Sequence, residues 1–448
     1  MVSTAPSPPP AGSRQGNGGR HAEQWLAAIL LVALAVRVAA VVAFHSLPRL
    51  TIGEHTVSSP GERPLFPDAL EYEAMARNIR RGRGLVVSES SRIARMPGYP
   101  CFLAAVHAAF GEGLLAVRLT QAVLGVATAG LAYLFARRLF GPGEGLVAAA
   151  AAAVYPIFVL LVVLVLSEVL FAALLAGGMV CLGKAASSRR LVWALGTGAV
   201  LGAATLVRAS LLLFVPLAAV CWVVGSRLDR RALRGAVLMV AVFAAMLAPW
   251  GVRNWWASGG HIVVTTLRAG ASLYEALNPQ ADGGPMMESI DWGRASRELE
   301  ARGVEPTEYA RDRFWRRLAV RYAARRPGRV GELALRKLRR FWSPVPNEPA
   351  LRTRLLCLLL GVPYGIAVVL AVVGLGASWR RGDVLLILVL PVVYHSLLHM
   401  VFVSSIRYRV VVMPLVLGLS AHGAVAVWGL VRRWCGRAAA DRDRPRAQ

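Results

Sequence analysis

The sequence predicts an all-α integral membrane protein that crosses the bilayer about ten times and carries two long loop regions on the outer side. The chain has 448 residues, of which 56% are hydrophobic and 17% are charged, whereas soluble domains average about 45–50% apolar and about 25% charged residues. Its mean hydropathy is +0.52, and its apolar residues occur in blocks long enough to span a bilayer. These observations argue against a soluble enzyme, a disordered chain and a fibrous repeat.

The apolar blocks give the order of the predicted spans. A tail rich in Pro, Gly and Ser, residues 1–24, precedes the first block and is predicted to be disordered and cytoplasmic. The first block is long and shows no cleavage site after a short apolar stretch, so it is expected to remain as a span. The ten blocks lie at about residues 25–47, 114–136, 145–165, 167–183, 191–207, 210–225, 235–251, 353–377, 383–403 and 410–431.

Basic residues set the predicted orientation. With the N-terminus in the cytoplasm, the short inner segments carry 19 Lys or Arg residues and the short outer connections carry three, the bias typical of cytoplasmic loops. Both termini are then cytoplasmic. The predicted regions are an N-terminal membrane module 25–251 with a first outer loop 48–112, an outer region 252–350, C-terminal membrane helices 351–431 and a basic tail 432–448.

The net charge of +26 comes almost entirely from arginine, since only Lys184 and Lys337 are lysines. Much of this charge flanks apolar blocks, where it indicates topology and contact with anionic lipid rather than nucleic acid. The five cysteines show no CxxC spacing. His395 and His399 are one helical turn apart but have no third ligand nearby, so core histidines are favoured over a metal site.

The first outer loop holds the most informative stretch. Residues 66–82 are predicted to form a short amphipathic helix because apolar side chains recur at helical spacing. Such a helix should lie flat on the outer membrane surface. The apolar stripe comprises Tyr72, Met75, Ala76 and Ile79.

Two carboxylates of this helix, Asp68 and Glu71, are three residues apart and therefore neighbour each other on one face. Two close carboxylates can hold different pKa values and perform acid–base chemistry. The alternatives are that Asp68 caps the helix N-terminus and that Glu71 is a solvated surface charge. Glu73 and Arg77 are expected to form an ordinary ion pair one turn apart.

A turn-rich segment follows, Arg95-Met96-Pro97-Gly98-Tyr99-Pro100. Two prolines and a glycine stiffen it, and a second apolar helix is predicted over about residues 100–110. A rigid loop that presents an arginine at the membrane face suits the binding of a lipid phosphate. Simple turn chemistry is the alternative.

Few ionisable residues interrupt the apolar blocks, and each costs about 2.5–3.5 kcal/mol or more at mid-bilayer unless it faces the bundle interior or snorkels. They are Arg37, Arg118, Glu168 and Arg208. Arg37 lies in mid-span and is expected to pair internally. Glu168 and Arg208 lie at predicted outer ends of spans, on the face that also carries the first outer loop.

The last outer connection contains Arg407-Tyr408-Arg409. We expect its two arginines to bind phosphate at the outer surface, with snorkelling interface anchors as the alternative. In the second outer region, residues 333–338 are predicted to form a basic amphipathic helix that returns to the bilayer.

Taken in order, these motifs resemble the bacterial GT-C glycosyltransferases of the protein O-mannosyltransferase and aminoarabinose-transferase type. The resemblance covers about residues 25–431 and rests on the order and spacing of several motifs. They are Asp68-Ala-Leu-Glu-Tyr72, Arg95-Met-Pro-Gly-Tyr-Pro100, Ala136-Arg-Arg-Leu-Phe-Gly141, Leu166-Ser-Glu168, Pro249-Trp-Gly-Val-Arg-Asn254, Arg336-Lys-Leu-Arg-Arg-Phe-Trp342 and Ile406-Arg-Tyr-Arg409 before Pro414.

The resemblance implies an inverting transfer of a sugar from a polyprenyl-phosphate donor at the outer face of the bacterial cytoplasmic membrane. It assigns the catalytic acid of the family to Asp68 and the family's Ser-Glu motif to Glu168. The chain has Met96 where the family often has proline, and Val207-Arg208-Ala209 where it often has Thr-Arg-Pro. The acidic pair of the family is often adjacent, so the role of Glu71 stays open.

The expected site combines the residues with the resemblance. Asp68 is expected to be the general base, with Glu71 and Glu168 as further catalytic carboxylates. Cations near the leaving phosphate are the other requirement, and no cofactor or obligatory metal is expected besides the lipid-linked donor. The expected substrate-binding residues are Tyr72, Arg95, Tyr99, Arg208, Arg407, Tyr408 and Arg409.

The expected partners are this donor, a glycan, lipid or protein acceptor, and membrane lipids, without nucleic acid. Two other classes compete with a glycosyltransferase: a secondary transporter or lipid flippase, and a non-catalytic membrane scaffold. Transporters place charges near mid-bilayer in repeated halves. This chain instead gathers its charges at one face, has long outer loops and shows no internal repeat.

Overall fold

The structure, a computed structural model, describes residues 13–442 except 53–54, 189 and 287–288. These residues form one antiparallel hairpin, β1 (Arg49–Ile52) with β2 (His55–Ser58), and are otherwise helical where they are regular. The all-α prediction is therefore confirmed. The helices are α1 Ser13–His45, α2 Pro67–Arg80, α3 Gly98–Phe110, α4 Leu114–Leu139, α5 Pro142–Val154, α6 Pro156–Leu161, α7 Glu168–Ser187, α8 Val192–Val207, α9 Phe214–Gly225, α10 Arg230–Ala257, α11 Ala269–Ala276, α12 Arg294–Glu300, α13 Glu308–Arg325, α14 Pro327–Phe341, α15 Arg354–Ser378, α16 Gly382–Val384, α17 Leu390–Val401, α18 Ile406–Arg409 and α19 Met413–Arg442.

Seven helical segments are long and apolar enough to cross a membrane. They are His21–His45, Leu114–Leu139, Glu168–Ser187, Arg230–Ala257, Arg354–Ser378, Gly382–Val401 and Ile406–Cys435. The other three predicted blocks also contain apolar helices, but these are shorter, at 10–17 residues: Pro142–Val154, Val192–Val207 and Ala209–Gly225. The polytopic architecture is thus present, with seven helices of full spanning length.

The predicted span 145–165 is broken rather than continuous. Tyr155 precedes Pro156 and is extended, with ψ 115°, because a residue before proline is pushed out of the helical conformation. The backbone carbonyls freed by such a break need partners, since lipid offers none. Buried side chains of α1 and α4 donate to them: Arg37 to Ala152 and Ala153 at 2.9 and 2.7 Å, Arg118 to Val163 at 2.8 Å, and Gln121 to Val162 and Leu164 at 3.0 and 2.8 Å.

The bundle brings three helix ends together. α19 packs against α4, α5 and α15, while α7 packs against α4 and α8. The start of α7, the end of α8 and the start of the α18–α19 segment therefore lie at the same end of the bundle. The first outer loop joins them there through α3, which packs on α4 and α8.

The outer regions contain the predicted helices. α2 and α3 match the helices expected over residues 66–82 and 100–110, and α14 includes the predicted segment 333–338. In the second outer region, α13 packs against α11, α12 and α14. The two regions meet where the N-terminus of α13 contacts the segment before α3.

The predicted tails are shorter than expected within the described residues. α1 begins at Ser13, so residues 13–24 are helical where a disordered tail was predicted, and residues 1–12 lie outside the described part. α19 likewise continues to Arg442, and residues 443–448 are not described. Extending an existing span costs little because helix nucleation has already occurred.

Candidate active site

Asp68 and Glu71 lie on one face of α2, as their spacing predicts. The residue that precedes the helix is Phe66, and no side chain caps the N-terminus. Asp68 therefore does not act as the N-cap. The side chains of Asp68 and Glu71 are 28% and 29% exposed, and each contacts two guanidiniums, so Glu71 is not a solvated surface charge either.

Two arginines join these carboxylates to a third one. Arg95 lies 2.6 Å from Asp68 and also donates to Glu71. Arg407 lies 2.7 Å from Asp68 and also donates to Glu168. Asp68 is therefore held between two guanidiniums, each of which is shared with another carboxylate.

Two further arginines complete the arrangement. Arg268 lies 2.8 Å from Glu71, and Arg208 lies 2.8 Å from Glu168. Charges of opposite sign thus alternate across this end of the bundle. We call this set the ion-pair row; in order it comprises Arg268, Glu71, Arg95, Asp68, Arg407, Glu168 and Arg208.

The electrostatics of the row favour the ionised carboxylates. Burial alone raises the pKa of Asp68, but Arg95 and Arg407 outweigh it and hold this pKa well below its usual range. Burial is likewise outweighed at Glu71, whose pKa is lowered by Arg95 and Arg268. Four guanidiniums face three carboxylates, so the row carries a net charge of +1.

The loop before α3 owes its position to a glycine. A Cβ built on Gly98 would lie 2.8 Å from the backbone of Leu206 and Val207 at the end of α8, so only glycine permits this approach. The contact places Arg95 beside the helix end that is followed by Arg208. The guanidinium of Arg95 also lies over the Tyr72 ring, 5.3 Å from its centroid.

Glu168 begins α7, where the helix dipole favours a negative charge. Its side chain is fully buried, and one oxygen, Oε1, contacts both Arg208 and Arg407. Its other oxygen, Oε2, has no hydrogen-bond partner among the described residues. A buried acceptor of this kind is one that a bound ligand can satisfy.

The expected tyrosines of the first outer loop have different surroundings. The Tyr72 hydroxyl lies 3.5 Å from Ser167 Oγ, so it borders the row. Tyr99 is fully buried and donates its hydroxyl proton to Gln121 Oε1 at 2.8 Å. Its ring meets that of Tyr72 in an edge contact at 5.0 Å. Tyr99 therefore supports Tyr72 and does not line the row.

Tyr408 borders the other end of the row. Its ring centroid is 5.4 Å from the Arg208 guanidinium and 5.8 Å from that of Arg407. The ring stacks on His399 at 4.8 Å. His399 and His395 are buried, and each has its Nδ1 2.9 Å from a backbone carbonyl, as expected for core histidines.

Arg409 is not part of the row, contrary to expectation. Residues two apart on a helix point about 200° apart, so Arg407 and Arg409 face opposite ways. Arg409 is buried and donates to the carbonyls of Phe341 and Ser343 at 2.9 and 2.8 Å. Its guanidinium lies 3.7 Å from the Tyr364 ring centroid. Arg409 therefore ties the end of α14 to the spans.

Glu73 also departs from its prediction. It is buried and contacts His107 Nε2 at 3.1 Å instead of pairing with Arg77. The contact joins α2 to α3, which pack together. Tertiary packing has therefore overridden the local spacing on which the predicted pair was based.

Arg268 is the charged residue of the row that sequence reasoning missed. It immediately precedes α11, and an isolated arginine outside an apolar block or a recurring motif gives no spacing signal. The one indirect hint is the neighbouring pair Asp68 and Glu71, because two close carboxylates require more positive charge than Arg95 alone supplies.

α13 positions the loops that carry Arg95 and Arg268. The Glu308 carboxylate accepts hydrogen bonds from the backbone N–H groups of Arg92 and Ile93 at 2.9 and 3.1 Å. Asp312 accepts one from the N–H of Gly270 at 2.6 Å. A Cβ on Gly270 would lie 2.0 Å from the Asp312 carbonyl oxygen, so the close contact depends on glycine.

Within the described part of the chain, no group of three or more His, Cys, Asp and Glu side chains is placed to hold a metal ion. The charged side chains at this end of the bundle instead pair with one another. An arrangement of guanidiniums that already hold carboxylates can exchange those carboxylates for another oxyanion, such as phosphate.

Comparison with known proteins gives a match to a family over part of the chain and a fold. Residues 94–255, about a third of the chain, match the family described as dolichyl-phosphate-mannose-protein mannosyltransferase. The match contains Arg95, Glu168 and Arg208. A search of curated protein sequences gave no match.

Solved structures give the overall likeness. The oligosaccharyltransferase AglB from Archaeoglobus fulgidus, solved with an inhibitory peptide and a dolichol-phosphate, is 14% identical with a TM-score of 0.55. The alignment covers 95% of this chain and 53% of AglB, so this chain spans about half the length of that protein. An oligosaccharyltransferase from Archaeoglobus fulgidus in its apo form gives the same values.

The chain has a GT-C glycosyltransferase fold. The family match and the AglB likeness confirm the resemblance predicted from the sequence, and the prediction of a glycosyltransferase agrees with both. ArnT from Cupriavidus metallidurans bound to undecaprenyl phosphate is also similar, at 15% identity, with 90% of this chain and 78% of ArnT covered and a TM-score of 0.42. Seven spanning helices in a GT-C fold identify an integral membrane protein.

Proposed function

We propose that this GT-C protein transfers a sugar from a polyprenyl-phosphate donor to an acceptor hydroxyl at the outer face of the membrane. The observation that carries the proposal is the ion-pair row at the outer end of the bundle, with its net charge of +1. A sugar joined to a polyprenyl monophosphate is a phosphodiester with one negative charge, which matches that excess. The family match and the dolichol-phosphate bound to AglB support the same class of donor.

The donor phosphate is proposed to replace carboxylates on the arginines. Arg407 contacts both Asp68 and Glu168, so a phosphate oxygen at Arg407 would compete directly with Asp68. Losing part of its ion pairing raises the pKa of the Asp68 carboxylate and makes it a better base. Binding of the donor phosphate would then itself activate Asp68 as the base.

The chemistry follows in one displacement. Asp68 takes the proton from the acceptor hydroxyl as its oxygen bonds to the anomeric carbon of the sugar. The bond from that carbon to the phosphate oxygen breaks, and its electron pair stays on the phosphate, which leaves as polyprenyl phosphate. This product carries a charge of about −1.5 to −2 near neutral pH. The leaving group is therefore bound more strongly than the donor by Arg95, Arg208 and Arg407. Catalysis requires such a difference, because only interactions that strengthen towards the transition state lower the barrier.

The other expected residues receive supporting roles. Glu168 orients Arg208 and Arg407 through Oε1, and its free Oε2 is available to accept a hydrogen bond from a substrate hydroxyl. Glu71 is proposed to hold Arg95 and Arg268 rather than to move a proton. Arginines, not a metal ion, are proposed to neutralise the phosphate, so removal of divalent cations with EDTA should leave turnover unchanged.

An apolar cleft of about 480 Å³ is a suitable site for the prenyl chain. It lies between the start of α9 and α10 and begins at Leu212, four residues after Arg208. Its lining is almost wholly apolar: Leu212, Leu213, Pro216, Val240, Phe243, Ala244, Leu247, Ala248, Gly251 and Val264. A chain lying there would place its phosphate near the Arg208 end of the row.

The proposed orientation puts the row outside and both termini inside a bacterial cytoplasmic membrane. The basic bias of the short loops supports it. Single cysteines introduced at the exposed positions Leu70 and Ser187, in a variant whose five native cysteines are replaced by serine, test it. A membrane-impermeant thiol reagent applied to intact cells should label position 70 and leave position 187 unlabelled until the cells are opened; the reverse pattern would place the row in the cytoplasm.

The deciding experiment is an assay of the purified full-length protein with a panel of polyprenyl-phosphate sugars. One member of the panel should be consumed with release of polyprenyl phosphate, and Arg407→Ala should weaken binding of that donor about 10–100-fold. A transporter would instead move the lipid between leaflets of a vesicle and leave its sugar bond intact. Transport without cleavage by a correctly folded protein would overturn the proposed function.

A further inference from the structure

The outward side of α13 carries a line of unneutralised arginines. Four of them, Arg313, Arg317, Arg321 and Arg325, are exposed and each is four residues from the next, so neighbours in the set lie side by side on the helix surface. We call this set the arginine ridge. Like charges at this spacing destabilise a helix, so the ridge weakens the element that bears it.

The two acids of α13 do not offset the ridge, because both are used on the inward side. Glu308 binds the backbone of residues 92 and 93, and Asp312 is 3% exposed and binds Gly270. Across the described residues, Arg317, Arg321 and Arg325 have no carboxylate within ion-pair distance. The neighbouring basic residue Arg316, by contrast, pairs with Asp312.

The surroundings of α13 argue against a lipid surface as the partner of the ridge. The buried side of the helix packs against α11, α12 and α14, all in the second outer region. Trp315 anchors it there, with ring centroids 4.7 Å from Tyr274 and 5.4 Å from Trp292. A helix that binds lipid headgroups also inserts a face of bulky apolar residues, whereas Val320 is the single large apolar residue exposed on α13.

Length and charge define the partner. The ridge extends over 12 residue steps, or about 18 Å along the helix, and offers four guanidiniums, the group that binds phosphate and carboxylate bidentately. A single small anion would use one or two of them. A chain with repeated anionic groups would engage them all and remove the repulsion along the helix.

We infer that the arginine ridge docks an acidic glycan, a chain bearing repeated phosphate or carboxylate groups, and that this glycan is the acceptor. The second half of the inference rests on the proposed function; the first half does not. The inward side of the same helix holds the loops of Arg95 and Arg268, so a chain docked on the ridge is fixed relative to the ion-pair row.

Binding tests the ridge without requiring turnover. The full-length protein in phosphatidylcholine nanodiscs is titrated with fluorescent dextran sulfate and with neutral dextran of the same length. The ridge variant carries Arg317→Ser, Arg321→Ser and Arg325→Ser together. The matched control carries Arg230→Ser, Arg231→Ser and Arg234→Ser, which remove the same charge from exposed positions at the opposite end of the bundle.

The wild-type protein should bind dextran sulfate, with an affinity that falls steeply with salt because bound counterions are released. The ridge variant should bind at least about tenfold more weakly and with a shallower salt dependence, while the control variant and the wild type should agree. Equal binding by all three proteins, or equal binding of neutral dextran, would overturn the inference.

Two further measurements separate the possible failures. If phosphatidylglycerol in the nanodisc blocks dextran sulfate binding to the wild type, the ridge binds lipid headgroups and the glycan inference is wrong. Donor binding by the ridge variant should equal that of the wild type. A wild-type protein that turns over donor but does not bind dextran sulfate would overturn this inference alone. A wild-type protein that binds dextran sulfate through the ridge but binds no donor would overturn the proposed function alone.

Discussion

Arginines with low exposure fall into two groups that differ in their partners. At the end of the bundle that carries the ion-pair row, the partly buried Arg95, Arg208 and Arg407 face carboxylates. In the interior, fully buried arginines such as Arg37 and Arg409 face backbone carbonyls. A carbonyl is fixed by the fold, whereas a carboxylate on a side chain can rotate away and be replaced by another oxyanion.

The identity of the partner separates the two groups of arginines where position in the sequence does not. Arg407 and Arg409 stand two residues apart in one motif, yet only Arg407 belongs to the ion-pair row. Carbonyl-bound arginines are expected to hold the broken span and the helix ends together. Carboxylate-bound arginines are expected to bind substrate, and changes in the two groups should affect different properties.

The largest expected effect is at Asp68, the carboxylate on which two row arginines converge. Asp68→Asn keeps the size of the side chain but cannot accept the acceptor's proton, so turnover should fall about 10²–10⁴-fold. Donor binding should remain, because the arginines keep their charge. The rate is measured as polyprenyl phosphate released by the purified variant. Asp291→Asn, an exposed acid of the second outer region, is the control and should leave the rate unchanged.

Comparison of Arg407→Ala with Arg409→Ala directly tests the distinction between carboxylate-bound and carbonyl-bound arginines. Loss of a charge-assisted hydrogen bond costs about 1.5–3 kcal/mol, so Arg407→Ala should weaken donor binding about 10–100-fold with a small change in thermal stability. Arg409→Ala leaves two buried carbonyls without a donor, at about 1–3 kcal/mol each. It should lower the unfolding temperature and leave donor affinity intact.

Binding is measured by titration with the donor, and unfolding by tryptophan fluorescence during heating. A loss of donor affinity in Arg409→Ala with unchanged stability would mean that the partner of an arginine does not predict its role.

A smaller effect concerns how the contribution of the ion-pair row to the stability of the fold depends on pH. The pKa of Glu71 is lowered in the folded protein, so its ion pairs stabilise the fold above its unfolded pKa of about 4.3 and lose this contribution as the pH falls through the lower folded value. The difference in unfolding temperature between wild type and Glu71→Gln should therefore be constant from about pH 8 to about pH 5. It should shrink only below about pH 4; a difference that disappears near neutral pH would contradict the ion pairing.

The sequence predicted the parts of the site that depend on order along the chain. Hydropathy located the helices, and the 68/71 spacing placed both carboxylates on one face of α2. The predicted position of Glu168 and Arg208 at span ends on the same face as α2 agrees with their place in the ion-pair row. These features follow from helix periodicity and from topology, which a single sequence contains.

The rest depends on contacts between distant segments. Arg268 enters the row because α13 holds its loop, a relation that no local spacing encodes. Arg409 lies away from the row although it is close to Arg407 in sequence, because residues two apart on a helix face opposite ways. Glu73 contacts the buried His107 rather than Arg77, a partner that local spacing cannot predict.

The smallest expected effect tests whether α13 sets the position of Arg268. Asp312 accepts the N–H of Gly270 through Oδ1 and pairs with Arg316 through Oδ2. Asp312→Ala removes both interactions, so the loop of Arg268 should lose its anchor and turnover should fall a few-fold, since small displacements of a positioned charge lower the rate.

Asp312→Asn is the informative partner of that variant. Its side-chain oxygen still accepts the Gly270 N–H, and the lost pair with the half-exposed Arg316 is worth little. Turnover should therefore return to the wild-type value in Asp312→Asn, while donor affinity stays unchanged in both variants. If Asn fails to rescue the rate, the charge of Asp312 matters more than its hydrogen bond, and α13 acts on the ion-pair row electrostatically rather than by holding the loop.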